Sequence, residues 1–216
     1  MQAISNLRNR IEPKFAGLNG EKDNGNGSLM RIAPLIPYIY GLVEEQQIQI
    51  ISEVSSLTHR HPRSILACIF LCKFAIQYLA TKEIPTAFAY TQKEIKYLLT
   101  QEKFKNECSH FDRLVNLTYE QFRNIAENDI KSTGYVIDTL EASFWSIFNN
   151  NDFKDSVLCA VNLGYDADTV GAITGALAGI IYGHDSIPEE WLNVLARKED
   201  IIELANKLDS AIKSNP

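Results

Sequence analysis

Between Asn162 and Gly183 the chain reads Asn-Leu-Gly-Tyr-Asp-Ala-Asp-Thr and then Val-Gly-Ala-Ile-Thr-Gly-Ala-Leu-Ala-Gly-Ile-Ile-Tyr-Gly. Gly171, Gly175, Gly179 and Gly183 recur every fourth residue and so share one helix face. Each interior glycine costs a helix about 1 kcal/mol relative to alanine. Such a run makes sense where another backbone passes close along that face, which predicts a buried, central helix. The segment is shorter than the roughly 20 residues of a membrane span. Asp166 and Asp168 lie two residues apart, so they point to different sides of a regular helix and converge only from a turn or a first helical turn. The stretch thus reads as a central helix holding two carboxylates and the Thr169 hydroxyl at its positive end.

The rest of the chain supplies helices to surround it. Residues 1–27 are polar and rich in glycine and asparagine and read as a loop, with a short helix near Ile4 to Ile11. Pro34 opens the next helical stretch. Ile48, Ile51, Val54 and Leu57 form a stripe over 44–58, and Pro62 starts a strongly apolar helix through Leu79. Segments 84–106 and 110–128 carry weaker helical patterns on the outside. Val136, Leu140, Phe144 and Ile147 define an amphipathic helix over 135–148, and Asp152 caps another. Pro188 opens a short helix, and a last one runs from about Lys198 to Ile212. No stretch alternates apolar and polar residues long enough for a strand. The expected fold is all-α, a single orthogonal multi-helix bundle over 1–216 in which roughly eight to ten helices pack around the glycine-rich one.

With 216 residues, 45% of them apolar, the chain has enough material for one sizeable core. A net charge of −6 argues against nonspecific binding to nucleic acid or a membrane surface. Cys68, Cys72, Cys108 and Cys159 have no metal-finger spacing, and Cys68 and Cys72 read as core thiols of a reducing compartment. No cationic-then-apolar leader and no membrane-spanning run is evident, so a cytoplasmic protein with neither nucleic acid nor membrane as partner is expected.

Two segments carry chemistry. Asp166, Asp168 and Thr169 offer hard oxygen ligands suited to Mg²⁺ or Mn²⁺, or else Asp168 or Thr169 is an ordinary cap of helix N–H groups and Asp166 is merely solvated. Gly25-Asn26-Gly27-Ser28-Leu29-Met30-Arg31 reads either as an anion cradle of backbone N–H groups with Arg31 available to pair, or as a flexible loop followed by a turn capped by Ser28. His59 and His61 are too close, and too far from any cysteine, to suggest zinc; His61 reads as a cap.

Taken together, Gly25 to Pro34, Leu57-Thr58-His59-Arg60-His61-Pro62, Gly134 to Ala142, and Asn162 to Thr169 with the glycine helix resemble the ADP-ribosylglycohydrolase family, over about residues 17–195. The resemblance implies an all-helical hydrolase with two Mg²⁺ or Mn²⁺ ions that cleaves the bond at C1 of the distal ribose and releases ADP-ribose from modified proteins or related conjugates. By motif match, Asp166, Asp168 and Thr169 would bind metal. Asn26, Gly27, Ser28, Arg31 and His59 would hold the phosphates and ribose.

Two departures accompany the match. The family's early Gly-Asp segment and its Thr-Asp-Asp or Ser-Asp-Asp motif, with the glutamate of a mobile flap, are not found here. No catalytic residue is therefore assigned, and the missing part is expected either from sequence upstream or from a separate N-terminal fragment; otherwise the chain acts as an ADP-ribose-binding module. Tyr165 stands where a small or polar residue is usual, and its ring is expected to narrow the sugar pocket.

Overall fold

Prolines and short polar side chains mark several of the helix starts. In the computed structural model, which describes residues 2–214, α1 (Gln2–Arg8) is followed by short 3-10 turns and α2 (Ile36–Ile39). Then come α3 (Glu44–Ser56), α4 (Pro62–Thr81) and α5 (Ile84–Leu99). The one- to two-turn helices α6 (Asp112–Asn116) and α7 (Tyr119–Arg123) lead into α8 (Val136–Phe148) and α9 (Phe153–Asn162). The chain closes with α10 (Ala167–Tyr182), α11 (Glu189–Val194) and α12 (Lys198–Ser214). The structure is all-α, with no strand among the described residues and only two isolated bridges, Leu18 to His59 and Gly25 to Tyr135.

Two of the expected caps, His61 and Asp152, are in place. Pro62 occupies the first turn of α4, and the His61 ring accepts the Arg63 backbone N–H at 3.2 Å. Asp152 caps α9 by accepting from the Asp155 N–H at 2.7 Å. At its other end α4 stops on Lys82 in the left-handed region (φ 58°), whose N–H returns to the Tyr78 carbonyl.

The long helix α4 is buried on nearly all sides, with α3, α5 and α8 packed around it. It is long and apolar enough to cross a bilayer, which corrects the expectation that no such run exists, and 72% of its apolar window is buried inside the chain. Its Phe70 and Phe74 meet Phe144 of α8 edge-on, with ring centroids 5.2 and 4.8 Å apart. Phe88 and Phe148 extend the same cluster at 5.0 Å. These edge-to-face contacts add to the large area that each ring removes from water.

The glycine-rich α10 is central in what it touches, namely α8, α9, α4 and the Leu29–Arg31 turn, but it is not fully buried. Val170, Ile173, Thr174, Leu177 and Ala178 face inward, whereas Ala172 is exposed and Ala176 and Ile180 are half-covered. The glycines also act differently than expected. A Cβ on Gly171 would come within 2.9 Å of Val161 Cγ1, so close packing against α9 needs glycine there. Gly175 has ordinary clearance, and nothing lies within 4 Å of a Cβ on Gly179. Gly183, at φ 86°, ends the helix. Side chains of α9 line this face; no backbone runs along it.

Glu141 of α8 is almost buried, with one carboxylate oxygen 3.4 Å from Arg113 Nη1. Burial pushes its carboxyl up to about 7 against the pull of Arg113, and Asp138 adds to the rise. A folded-state value above the unfolded one means that the folded chain holds an extra proton between the two values. Stability from this group is thus greatest below about pH 4.5 and falls as pH rises toward about 7, where the carboxyl ionises in the fold.

Two measurements follow from this architecture. Phe144→Ala, at a fully buried position touching Phe70, Phe74 and Phe148, is expected to cost about 3–5 kcal/mol in urea unfolding. A loss below about 1 kcal/mol would mean that the aromatic cluster is not the core. Glu141→Gln is expected to flatten the decline in unfolding midpoint between about pH 5 and 7. An unchanged slope would assign that decline to another group.

Candidate functional site

The segment before the first motif is tied down by backbone hydrogen bonds on two sides. Gly17 N–H donates to the Ser56 carbonyl at 2.9 Å, Leu18 N–H to Thr58 at 3.3 Å, and Arg60 N–H returns to Leu18 at 2.8 Å. Further on, Val136 N–H donates to the Asn24 carbonyl at 3.0 Å and Asn26 N–H to Gly134 at 3.1 Å. Glu21 reaches across to Arg63 Nη1 at 2.8 Å and lies 3.4 Å from His61 Nε2. The loop is therefore held between α3 and α4 on one side and the start of α8 on the other.

Within it, Asn26 is 8% exposed and its amide is the hub. Its Nδ2 donates to Thr139 Oγ1 at 2.9 Å and also to Asp166 Oδ2 in a short contact. Thr139 Oγ1 in turn donates toward the Thr133 carbonyl at 2.9 Å. Asp166 is positioned independently, because its own N–H donates to the Ser132 carbonyl at 3.0 Å. The two motifs thus meet through side chains 140 residues apart.

That contact separates the two readings of the Asp-Ala-Asp-Thr turn. Asp166 occupies the N-cap position of α10, yet its carboxylate makes no capping bond. It faces Asn26, so it is not the merely solvated residue that the ordinary-cap reading makes of it. Asp168, in the first helical turn, is exposed. Thr169 is buried, and its hydroxyl lies 4.0 Å from Met30 Sδ, at the limit of a contact. The three groups share a turn but are not closed into a cage. Among the described residues, no three His, Cys, Asp or Glu side chains stand close enough to share an ion. The donor set is hard oxygen throughout, which matches Mg²⁺ or Mn²⁺ in kind.

The remaining expected ligand residues divide. His59 packs directly on the loop, where a Cβ on Gly27 would fall 2.7 Å from its Cε1 and 3.2 Å from its Nε2. Glycine at 27 is what lets the ring lie there. Burial and then the charge of Arg31 lower the imidazole below its ordinary range, while Asp23 pulls the other way. Ser28 is fully buried and corrects the sequence reading. Its hydroxyl accepts from Ser55 Oγ at 3.0 Å and makes no cap, which leaves only its backbone for a ligand. Arg31 also departs from expectation. Its Nη2 donates to the Val54 carbonyl at 3.1 Å and to Thr58 Oγ1 at 2.8 Å, so its guanidinium is already engaged behind the loop.

Tyr165 is 91% exposed at φ 51°, between Gly164 at φ 78° and Asp166. A non-glycine residue in the left-handed region stores strain of order 1 kcal/mol. Its ring projects into solvent beside the carboxylates and does not fill a pocket. Sequence reasoning passed over Thr58 and Thr139. Each sits inside a quoted motif, and the signal was a hydroxyl beside a ligand-type residue.

The sequence profile described as ADP-ribosylglycohydrolase matches residues 1–216. Among curated proteins, the chain is 34% identical over 186 residues to the ADP-ribosylarginine hydrolase Tri1 of Serratia proteamaculans (strain 568), covering 85% of this chain and 46% of that protein. It is 27% identical over 192 residues to the ADP-ribosyl-[dinitrogen reductase] glycohydrolase of Rhodospirillum rubrum, covering 89% and 57%. A solved structure titled ADP-ribosylglycohydrolase-related protein complex superposes with a TM-score of 0.77 at 28% identity, covering 96% of this chain and 66% of that one. The chain spans about half the length of the curated relatives it matches. A profile match along the whole chain, an all-helical likeness to a solved relative and four motifs gathered in space have one common reading: this chain belongs to the ADP-ribosylglycohydrolase family.

Proposed function

We propose that this chain supplies the nucleotide-holding part and one side of the metal centre of a hydrolase that releases ADP-ribose from ADP-ribosylated protein. The observation that carries the reading is the Asn26–Asp166 contact, which sets the glycine-rich loop against the acidic turn at the head of α10. Relatives named for hydrolysis of ADP-ribosylarginine and of an ADP-ribosylated reductase support that substrate class.

In this reading Asp166, Asp168 and Thr169 hold Mg²⁺ or Mn²⁺, with water, sugar or further chain completing the shell. When bound, the metal pair would orient the ribose hydroxyls and supply or position the attacking water. The chain's own groups do the rest. Backbone N–H groups around Gly27 receive phosphate oxygens, and His59 lies along the same loop. The carboxylates of Asp166 and Asp168 lend negative charge near a sugar that becomes cationic as its bond breaks.

One observation favours turnover only in company with more polypeptide. The side of α10 carrying exposed Ala172 leads to a groove of about 860 Å³ lined by Met30, Pro34, Tyr40, Ala176, Ile180 and Leu208. In the second reading the chain alone binds ADP-ribose, and a helical segment carrying further acidic ligands docks beside α10 to complete the site.

Asp168→Ala removes an exposed carboxylate, so the fold should lose no more than about 0.5 kcal/mol. Mn²⁺ binding, followed by electron paramagnetic resonance, and Mn²⁺-dependent ADP-ribose release from an ADP-ribosylarginine protein are both expected to disappear in this variant. If the wild-type chain, alone or with its upstream-encoded sequence, releases no ADP-ribose and binds none by calorimetry, the enzyme and the binding-module readings both fail. Binding without release by the chain alone would select the second reading.

A further inference from the structure

Arg31, Thr58 and His59 form a short relay behind the loop. Arg31 Nη2 lies 2.8 Å from Thr58 Oγ1, and Thr58 Oγ1 lies 2.9 Å from His59 Nδ1. The Arg31 guanidinium is anchored at its far side by the Val54 carbonyl, 3.1 Å away.

Among the protein's own groups, one assignment of hydrogens pairs all three. A guanidinium donates and never accepts. The Thr58 oxygen therefore accepts from Arg31 and has its single hydrogen left to give. His59 Nδ1 is the acceptor within reach, so Nδ1 carries a lone pair and the imidazole hydrogen stands on Nε2. The opposite tautomer would make the Thr58 oxygen accept twice and leave its hydrogen with no protein acceptor among the described residues. The Nε2 edge is also the edge turned to the loop: a Cβ on Gly27 would lie 3.2 Å from Nε2, and one on Gly25 3.6 Å.

We infer that Arg31 and Thr58 are positioning residues that fix His59 as its Nε2–H tautomer, so that it presents one neutral donor to an acceptor oxygen of a phosphate or sugar held by the loop. The recognition half rests on the ADP-ribose reading, whereas the tautomer half does not. The charged groups that bear on the ring are Arg31 and Asp23. A second proton on Nδ1 would face an oxygen already occupied by Arg31 and would set one cation beside another. Burial and the Arg31 charge thus both favour the neutral ring over its doubly protonated form. This also accounts for a ligand-type arginine that does not face the ligand: Arg31 acts through Thr58.

The test uses the ¹⁵N-labelled full chain at about pH 7.5, above the ordinary histidine range, with no ligand present. Long-range ¹H–¹⁵N spectra of the His59 ring are expected to show the Nε2–H tautomer dominant in wild type and in Thr58→Ser. Thr58→Val should lose that preference and show a mixture. A wild-type ring protonated on Nδ1 would overturn the inference even if the valine variant does not fold, and so would a folded Thr58→Val variant whose spectrum is identical to wild type. Calorimetric titration with ADP-ribose is expected to show binding weakened roughly fivefold to tenfold in Thr58→Val and restored in Thr58→Ser, the size of one ordinary hydrogen bond. A valine variant with altered tautomer and unaltered affinity would overturn the recognition half. Wild type that binds no ADP-ribose would remove that half together with the hydrolase reading and leave the tautomer result standing.

Discussion

The Asn26 side-chain amide is the joint on which the site depends. Its two hydrogens go to Thr139 and Asp166, and its backbone N–H goes to Gly134. A loop, the start of α8 and the head of α10 are thereby fixed to one buried group. Because Asn26 is nearly inaccessible, water offers these partners little alternative, and an unmatched buried polar group costs about 1–3 kcal/mol. The same bond turns the Asp166 carboxylate away from its own helix and toward the loop. A side chain that would otherwise stabilise only α10 thus becomes part of a shared centre.

Around that joint the structure divides its labour. The aromatic cluster between α4, α5 and α8 supplies a rigid floor. A further layer of buried small polar groups, among them Ser28, Ser55, Ser64 and Thr139, bonds within itself, to the Asn24 side chain or to backbone. This layer lets a glycine-rich loop be well defined without apolar side chains of its own. The outermost layer, with Asp168 and Tyr165, is exposed and free to meet a ligand. Tyr165 holds an unfavourable backbone conformation there, which is tolerable because Ser132 grips the preceding carbonyls of Leu163 and Gly164.

Much of the fold was legible because its signals are local. Pro62, His61 and Asp152 mark helix starts by capping chemistry that needs no partner from elsewhere, and the 3.6-residue period over 136–148 survives in α8. The centre of the bundle was less legible. Glycine spacing in 171–183 pointed to α10 as the buried element, but a glycine stripe records only that nothing bulky fits, and here a valine of α9 and a helix end account for two of its members. The burial of α4 on several sides was readable from its apolar run, but a run that is apolar all round does not say which neighbours cover it. In the site, residue types were readable and orientations were not. Ser28 and Arg31 carry suitable groups for an anion, and only their partners Ser55 and Thr58, 27 residues away in each case, show that both side chains face inward.

The reach of Asn26 along the chain has a kinetic corollary. Its partners Thr139 and Asp166 are 113 and 140 residues distant in sequence, so the centre forms only after very long loops have closed. Contacts of such separation belong to the late, non-local part of folding. Partly folded chains can own the aromatic floor and every local cap while lacking the Asn26 centre altogether. A ligand gripped by that centre would then recognise the completed topology alone, and its presence would drain population from every intermediate that lacks it.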